Sequence, residues 1–445
     1  MIEPIDLLSL ATYIRQEGHM VEVLDMDVKR MDPKDISIYL HDRCFDVLVM
    51  LLDYHIPLHT DLALAGVVEV SKKARERDVK VVIAGKMAMN NLEEIFWEGS
   101  PVNVAISGEA EVTLKRLLML DKWTSGALKD ISNISFYSEG KVQTTVFDEN
   151  KINLDEIPIP DRSLLNLKDY IDARTLISSR GCIQTCTFCH VPGFWGRWRG
   201  RKASVVVDEI EYLIKKYEAK KILFLDDNAM ASPLRMREIS AGIIKRNLKV
   251  ALGCLGSISV FDEKTASLMY KAGFRWIHFG IESGDDRILK KIRKNISMDK
   301  VIPTIREAKK IGMRVRTSWI LDLPGIDKEA FDNTIKAILE TKTDEIRLHF
   351  YALRYGSALH DKYSRKSKNS AQYLHNGSPS SDLNGLDKDY MQTEVNKLVK
   401  KLEEDGYIVV RNQEESKKLE KMDRDGRKMK IVSFCPLRYT VSWKL

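Results

Sequence analysis

Cys182, Cys186 and Cys189 crowd into one short segment, Ser179-Arg180-Gly181-Cys182-Ile183-Gln184-Thr185-Cys186-Thr187-Phe188-Cys189-His190. Thiolate sulfur binds iron and zinc strongly. A 4Fe–4S cluster takes four ligands, usually four cysteines. Three thiols would leave one iron without a protein sulfur, and an open metal position lets a substrate or cosubstrate coordinate directly. Two rivals use the same residues. Cys186 to His190 matches C-x-x-C-H, the pattern of covalent haem attachment. That pattern belongs to exported proteins and leaves Cys182 unexplained. Structural zinc on the three cysteines plus His190 is chemically sound, although zinc sites usually pair C-x2-C knuckles. Spacing and context favour iron–sulfur, and zinc stays open as its rival.

The other three of the six cysteines, Cys44, Cys254 and Cys435, are scattered. A disulfide framework would not look like this in a chain of 445 residues. The composition, 44% hydrophobic and 30% charged, is that of a globular protein able to bury a core. This length accommodates about two or three domains. A net charge of +7 is modest and reads as a solvated basic surface. No apolar run reaches the roughly 18 residues that span a bilayer. Met1-Ile2-Glu3-Pro4 lacks the start of a secretory signal, so a cytoplasmic location is expected.

The elements that would position the cysteines fall into two alternating series. In the first, Ile5–Ile14 has helical spacing, Met20–Leu24 reads as a strand, and Asp46–Leu52 as a strand buried on both faces. Leu62–Ala74 is helical, Val79–Ala84 and Val102–Ile106 are strands, and Glu111–Leu120 is a helix. Such alternation argues for a parallel sheet covered by helices. Asn133–Phe147 reads as a β-hairpin turning at Ser138-Glu139-Gly140. Ile157-Pro158-Ile159-Pro160 is a stiff linker.

The second series has strands at Thr175–Ser178, Lys221–Leu225, Val250–Cys254, Trp276–Ile281, Val315–Leu321 and Glu345–Phe350. Helices are expected between them at Ser204–Tyr217, Pro233–Arg246, Glu263–Ala272, Met298–Ile311 and Lys328–Leu339. Six βα units suggest a full or partial barrel, with the site on the loops after the strands. The cysteines follow the first of these strands. Ser364–Leu386 reads as a polar loop, Tyr390–Asp405 as an amphipathic helix, and Glu414–Lys430 as a solvated charged face.

C-x3-C-x2-C after a first barrel strand, with Gly181 before the first cysteine and Phe188 before the last, resembles the radical S-adenosylmethionine (SAM) superfamily. The resemblance runs over about residues 155–360. It includes Pro192-Gly193-Phe194-Trp195-Gly196, Phe279-Gly280-Ile281-Glu282-Ser283-Gly284 and Leu323-Pro324-Gly325. It implies that SAM chelates the open iron and is cleaved by one electron to methionine and a 5′-deoxyadenosyl radical. That radical would take hydrogen from a substrate carbon. By motif matching, Asp226, Asp227 and Asn228 look like the position that binds the SAM amino group. Glu282 looks like the residue that contacts the ribose or amino group, Arg316 would pair with the methionine carboxylate, and Phe188 would lie near the adenine. Solvated turns, salt bridges and loop packing are the plain structural roles for the same residues. Two departures stand out: Asp322 where relatives often have glycine, and no arginine near Ser257.

Residues 4–120 resemble the doubly wound domain that binds cobalamin in a subgroup of these enzymes. Gly85 would be the loop after a strand, and Gly108 and Glu109 part of the acidic turn Ser107-Gly108-Glu109-Ala110-Glu111. Asp53-Tyr54-His55 begins like a cobalt-ligand motif, but Leu58 replaces its glycine, and His55 is read as an ordinary loop residue. The usual first strand is missing. Lys430–Pro436, which reads as a strand and turn, is one candidate to fill its place in that sheet.

The expected architecture is therefore α/β. A cobalamin-binding-like Rossmann domain (1–125) leads through a hairpin and linker (126–160) to a radical SAM partial (β/α)6 barrel (161–355). A helical, charged C-terminal extension (356–445) follows. The expected enzyme cleaves SAM reductively at a 4Fe–4S cluster, for cobalamin-dependent methyl transfer or a radical rearrangement. Its alternatives are a radical SAM enzyme without cobalamin and a metal-stabilised binding module. A small-molecule, lipid or peptide substrate and an electron donor such as a flavodoxin or ferredoxin are the expected partners. The aromatic–basic run Phe194–Lys202 suits a lid or an anionic cofactor better than nucleic acid.

Overall fold

The computed structural model describes residues 2–41, 43–52, 60–90, 92–148, 151–351, 353–354, 356–364, 386–411, 415 and 429–434. His55, Leu58 and Cys435, nearly all of the polar loop after Ser364 and most of the charged stretch before Lys430 lie outside these residues. Among the described residues no helix is long and apolar enough to cross a membrane.

Helix α1 (Ile5–Gln16) is followed by β1 (Val47–Leu51), α2 (Thr60–Arg75), β2 (Lys80–Ala84), β3 (Val104–Ile106), α3 (Ala110–Leu118) and the hairpin β4 (Ile134–Ser138) and β5 (Lys141–Thr144). These strands form one sheet in the order β1-β2-β3-β4-β5. The first three run parallel, and the hairpin adds antiparallel. Period-two alternation explains the layers. Val82 and Ala84 pack with Leu10, Ile14 and Leu114 of α1 and α3. Val81 and Ile83 pack on the other face with Val67, Val70 and Ala74 of α2. Helices thus cover both faces, as a doubly wound sheet requires.

Three expectations are corrected here. β1 is half-buried along its length, because it forms the sheet edge among the described residues. Met20–Leu24 is not a strand, and Met20 is fully exposed. A strand needs a neighbour to bond with, and no described strand lies beyond β1. Lys430–Phe434 is a strand, but it joins the other sheet.

The second sheet begins at β6 (Arg174–Leu176). Short helix α4 (Val191–Trp195) follows the cysteines, and then come α5 (Ala203–Tyr217), β7 (Lys221–Phe224), α6 (Pro233–Lys245), β8 (Ala251–Gly256) and α7 (Glu263–Ala272). The series continues with β9 (Phe274–Glu282), α8 (Met298–Ile311), β10 (Arg314–Ile320), α9 (Lys328–Thr341) and β11 (Glu345–His349). The six strands pair in chain order, all parallel. The C-terminal part is not only helical. After α10 (Lys388–Glu404), strands β12 (Tyr407–Val410) and β13 (Lys430–Phe434) extend the sheet beyond β11. Outward residues such as Ile277, Phe279, Val315, Trp319, Ile346 and Leu348 share one core with the surrounding helices.

A buried carboxylate ties the start of the chain to the barrel. Glu3 is fully buried. Its Oε1 accepts from Arg162 Nε at 3.0 Å, from Thr175 N at 2.6 Å and from Thr175 Oγ1 at 2.8 Å. Arg174 lies 3.4 Å from Oε2. Removing one partner of a buried pair strands the other charge and costs about 3–5 kcal/mol. Glu3→Ala is therefore expected to destabilise the protein by about 3 kcal/mol, read as a lower urea midpoint. An unchanged midpoint would contradict this tie.

Candidate active site

The cysteine loop is fastened at its base by Asp226, just past β7. Its carboxylate is 1% exposed. It accepts from Ser178 N at 2.7 Å and from the hydroxyls of Ser178 and Ser179, both at 2.5 Å. Asp226 therefore shapes the loop, and the structure gives it serine partners instead of the expected SAM amino group. Asp227 accepts from Gly181 N at 3.2 Å. Gly181 has φ +85, and a Cβ there would press the Arg197 carbonyl oxygen at 3.1 Å, so glycine is required. Further along, Thr187 N donates to Ile292 O and Leu359 N to Thr187 O, each at 2.9 Å. Gln184 Nε2 donates to Ser259 Oγ at 2.7 Å. The loop is thus bonded to Asp227, Ser259, Ile292 and Leu359.

Cys182 lies close enough to Cys186 to raise its thiol pKa, and both lie close enough to Cys189 to raise that one. Burial pushes the Cys186 thiol up to about 11 and that of Cys189 up to about 12. Such thiols ionise only with strong positive charge beside them, which bound iron supplies. Gln184 N donates to Cys182 Sγ at 3.5 Å and Val191 N to Cys189 Sγ at 3.4 Å. Hydrogen bonds to cluster sulfurs of this kind tune a cluster's potential. Among the described residues no three Cys, His, Asp or Glu side chains close to the spacing of a single ion. Burial, with Lys86 and Arg354 nearby, pushes His190 down to about 2 and keeps it neutral.

Asn228 stands against the sulfurs. Its Nδ2 donates to Cys182 Sγ at 3.8 Å, and its Oδ1 is buried with no hydrogen-bond partner among the described residues. A buried carbonyl oxygen without a donor costs free energy that an incoming ammonium would recover. Glu282 closes β9 with φ +74, a left-handed backbone for a non-glycine residue. Its Oε1 accepts from Lys294 Nζ at 3.1 Å. Burial alone would lower the Lys294 pKa, but Glu282 and the Cys186 thiolate push it up. These groups fit a three-thiolate cluster with an amine-bearing cosubstrate at its open side.

Other assignments come apart. Arg316 sits near the start of β10, at the far end from the cysteines, and is buried. Its Nε donates to Glu345 Oε2 at 2.7 Å, and its guanidinium lies 4.6 Å over the Trp276 ring. The structure thus gives Arg316 a protein carboxylate instead of the methionine carboxylate. Asp322 is fully buried and accepts from Tyr351 N, so it joins the ends of β10 and β11. Ser257 bonds Ser259 at 2.9 Å. Phe188 packs on the barrel core.

The first domain meets this loop directly. Val82, Ala84 and Ile106 share a core with Val191, Phe194 and Trp195 of α4, and Cys182 and Cys189 pack against it. Arg180 donates to Glu111, lies 3.6 Å from Glu109 and sits 4.8 Å over the Trp195 ring. Arg199 donates to Glu109 as well. Glu109 is therefore committed to two arginines of the barrel, contrary to its expected cofactor role. Gly85 has φ +115, and a Cβ there would collide with the Leu52 carbonyl oxygen. That close approach by the end of β1 explains the residue. Gly108, φ +79, would meet only the Phe147 ring, at 3.6 Å. Sequence reasoning missed Lys294, Lys86 and the Arg180–Glu111 pair. Only Arg180, one residue from the cysteine motif, carried a signal, since a buried arginine there demands an acid.

Residues 176–338 match the family model described as the Radical SAM superfamily. The chain is 30% identical over 341 residues to a protein of Pyrococcus horikoshii named as an uncharacterized methyltransferase, covering 75% of this chain and 72% of that one. It superposes with a TM-score of 0.68, at 16% identity, on the radical SAM methyltransferase TsrM of Kitasatospora setae, solved with cobalamin and a [4Fe-4S] cluster. That match covers 82% of this chain and 72% of TsrM. A second match, TM-score 0.65 at 21% identity, is the cobalamin-dependent radical enzyme OxsB, covering 87% of this chain and 56% of OxsB.

If the three thiols share one cluster, anaerobic reconstitution should give about four iron atoms per chain. Cys186→Ala should lose most of that iron and the brown colour. Cys254→Ala, in the barrel core, should keep both. Equal iron in the two variants would break the assignment.

Proposed function

Because the chain belongs to the radical SAM superfamily, we propose that it transfers a methyl group to an unactivated carbon of a small organic substrate, with cobalamin held by its first domain. The carrying observation is the contact of that domain's sheet, at the ends of β2 and β3, with the cysteine loop. Whatever the domain holds there lies beside the cluster. When bound, a 4Fe–4S cluster supplies the electron that splits SAM to a 5′-deoxyadenosyl radical, and cobalamin supplies a methyl carrier.

The protein's part is positioning. Cys182, Cys186 and Cys189 hold three irons. Asn228 and Glu282 accept from the SAM amino group and ribose, and Lys294 steadies the Glu282 carboxylate. Asp227 holds the loop at Gly181 and Phe188 backs the adenine. Gly85 and Gly108 serve the turns after β2 and β3, where the Leu52 carbonyl oxygen and the Phe147 ring lie against them. Trp195 and Phe194, both buried, exclude water from the seam where a radical would be quenched. The electron comes from a small donor protein of the flavodoxin or ferredoxin type. The methyltransferase name of the Pyrococcus relative and the cobalamin bound in TsrM and OxsB support this reading.

Two measurements test it. Under dithionite the reconstituted enzyme should turn SAM into methionine and 5′-deoxyadenosine, and Glu282→Gln should raise the apparent KM for SAM about tenfold, or 1.4 kcal/mol. Protein refolded or expressed with hydroxocobalamin should keep about one corrinoid per chain through gel filtration, seen in its visible spectrum. SAM cleavage with no retained corrinoid would leave a radical enzyme and remove the cobalamin arm.

A further inference from the structure

We infer that the seam between the first domain, the linker and the base of the cysteine loop binds water, with at least one molecule bridging Arg201 and Glu209. None of the residues assigned above to the cluster or to SAM lines this site.

A cavity of about 20 Å³ lies there. Ser9 of α1, Pro158 of the linker, Ile177 and Arg180 at the base of the cysteine loop, Arg201 just before α5 and Glu209 within it are among its lining residues. One water needs about 10–15 Å³ of such space. Size alone decides nothing, because an apolar hole stays dry. The polar groups decide it. Arg201 is 7% exposed and Glu209 is fully buried. Arg201 Nη1 donates to Glu209 Oε2 and, at 3.0 Å, to Ile177 O. Arg201 Nε, Arg201 Nη2 and Glu209 Oε1 are buried with no hydrogen-bond partner among the described residues. Leaving charged groups of this kind unbonded is costly. Two donors and one acceptor are what one water can serve, accepting from the guanidinium and donating to the carboxylate. Buried waters make about three hydrogen bonds.

Charge disfavours the other occupants. An anion would satisfy the two donors but would face the Glu209 carboxylate. Both arginines that line the cavity already have an acid, Arg201 in Glu209 and Arg180 in Glu111. A further buried negative charge would go unbalanced. A cation would meet two guanidinium groups. Water is both donor and acceptor and fits the space. Its place gives it a mechanical role. Arg201 N donates to Ser178 O at 2.9 Å, and Arg235 donates to Arg201 O and to Ser178 O, both at 2.6 Å. Ser178 is the residue that Asp226 fastens. A water that completes the bonding of Arg201 therefore stiffens the strand leading into the cysteines from the side of α1 and the linker. Phe194 and Trp195 do not line this cavity, so its water is separate from the part of the seam that they keep dry.

The test is a high-resolution crystal structure of the anaerobically reconstituted full chain. Wild type should show a water oxygen within hydrogen-bonding reach of Arg201 Nε or Nη2 and of Glu209 Oε1. A dry cavity, or an Arg201–Glu209 pairing that closes it, overturns the inference. So does an anomalous bromide peak beside Arg201 in crystals grown with sodium bromide, which would make this a site for anions. The double variant Arg201→Met, Glu209→Met should lose the water and keep the surrounding backbone. A water that persists there is held by other groups and also overturns the inference. Stability gives an independent reading, which serves if the double variant fails to fold. Leucine and alanine have similar helix propensities, so Ser9→Leu compared with Ser9→Ala reports on the cavity beside α1. Ser9→Leu should expel the water, strand the two donors and the acceptor, and unfold at a lower urea concentration than Ser9→Ala. A higher midpoint would mean that leucine fills a dry hole, and the inference would fall.

Discussion

The fastening of one loop to one carboxylate governs the rest of the site. Asp226 draws the backbone and hydroxyls of Ser178 and Ser179 onto the end of β7. This fixes where Gly181 and Cys182 begin and leaves the next two residues, Asp227 and Asn228, against the same loop. A cluster bound by three residues of one flexible segment would otherwise pay for ordering that segment. Here the ordering is done in advance by hydrogen bonds to the second barrel strand and to residues 292, 259 and 359.

A second constraint operates between the domains. The seam is tied by buried charge: Glu3 with Arg162 and Arg174, Arg180 with Glu111, and Arg199 with Glu109. Buried ion pairs offset their desolvation poorly, so their net contribution to stability is small. They are costly to break, however, because each partner would be left charged in an apolar place. Such ties select one relative placement of two sheets. Apolar packing of α4 against β2 and β3 then seals it. The acidic turn that looks like a cofactor motif in the sequence is in this structure an anchor for the barrel.

Much of the architecture was legible because it rests on local periodicity. The six barrel strands and the helices between them stand where the alternation places them, since each strand is apolar on its outward face and each helix carries one apolar stripe. The cysteine loop was legible from its residue types. What failed depended on partners distant in the chain. Met20–Leu24 has strand composition but no neighbour. Lys430–Phe434 has a strand's pattern, and only tertiary structure could say that β11 and β12 flank it. Arg316 and Glu109 have the chemistry of ligand contacts, yet Glu345 and the barrel arginines reach them first. A single sequence reveals a side chain's capacity but not which group occupies it.

The backbone at Glu282 sets two pressures against each other. A left-handed conformation at a residue with a side chain costs about 1–2 kcal/mol that glycine would avoid. With φ at +74, this position would be more comfortable as glycine. Its neighbour Gly280 leaves open the space that Glu282 Oε1 now fills, where a Cβ would collide with it. Glycine would relieve the backbone but would leave the largely buried Lys294 without the carboxylate 3.1 Å away, a loss of about 3–5 kcal/mol that outweighs the gain. Laboratory evolution for thermal endurance would therefore keep the acid and its lysine together, or exchange both at once for apolar residues.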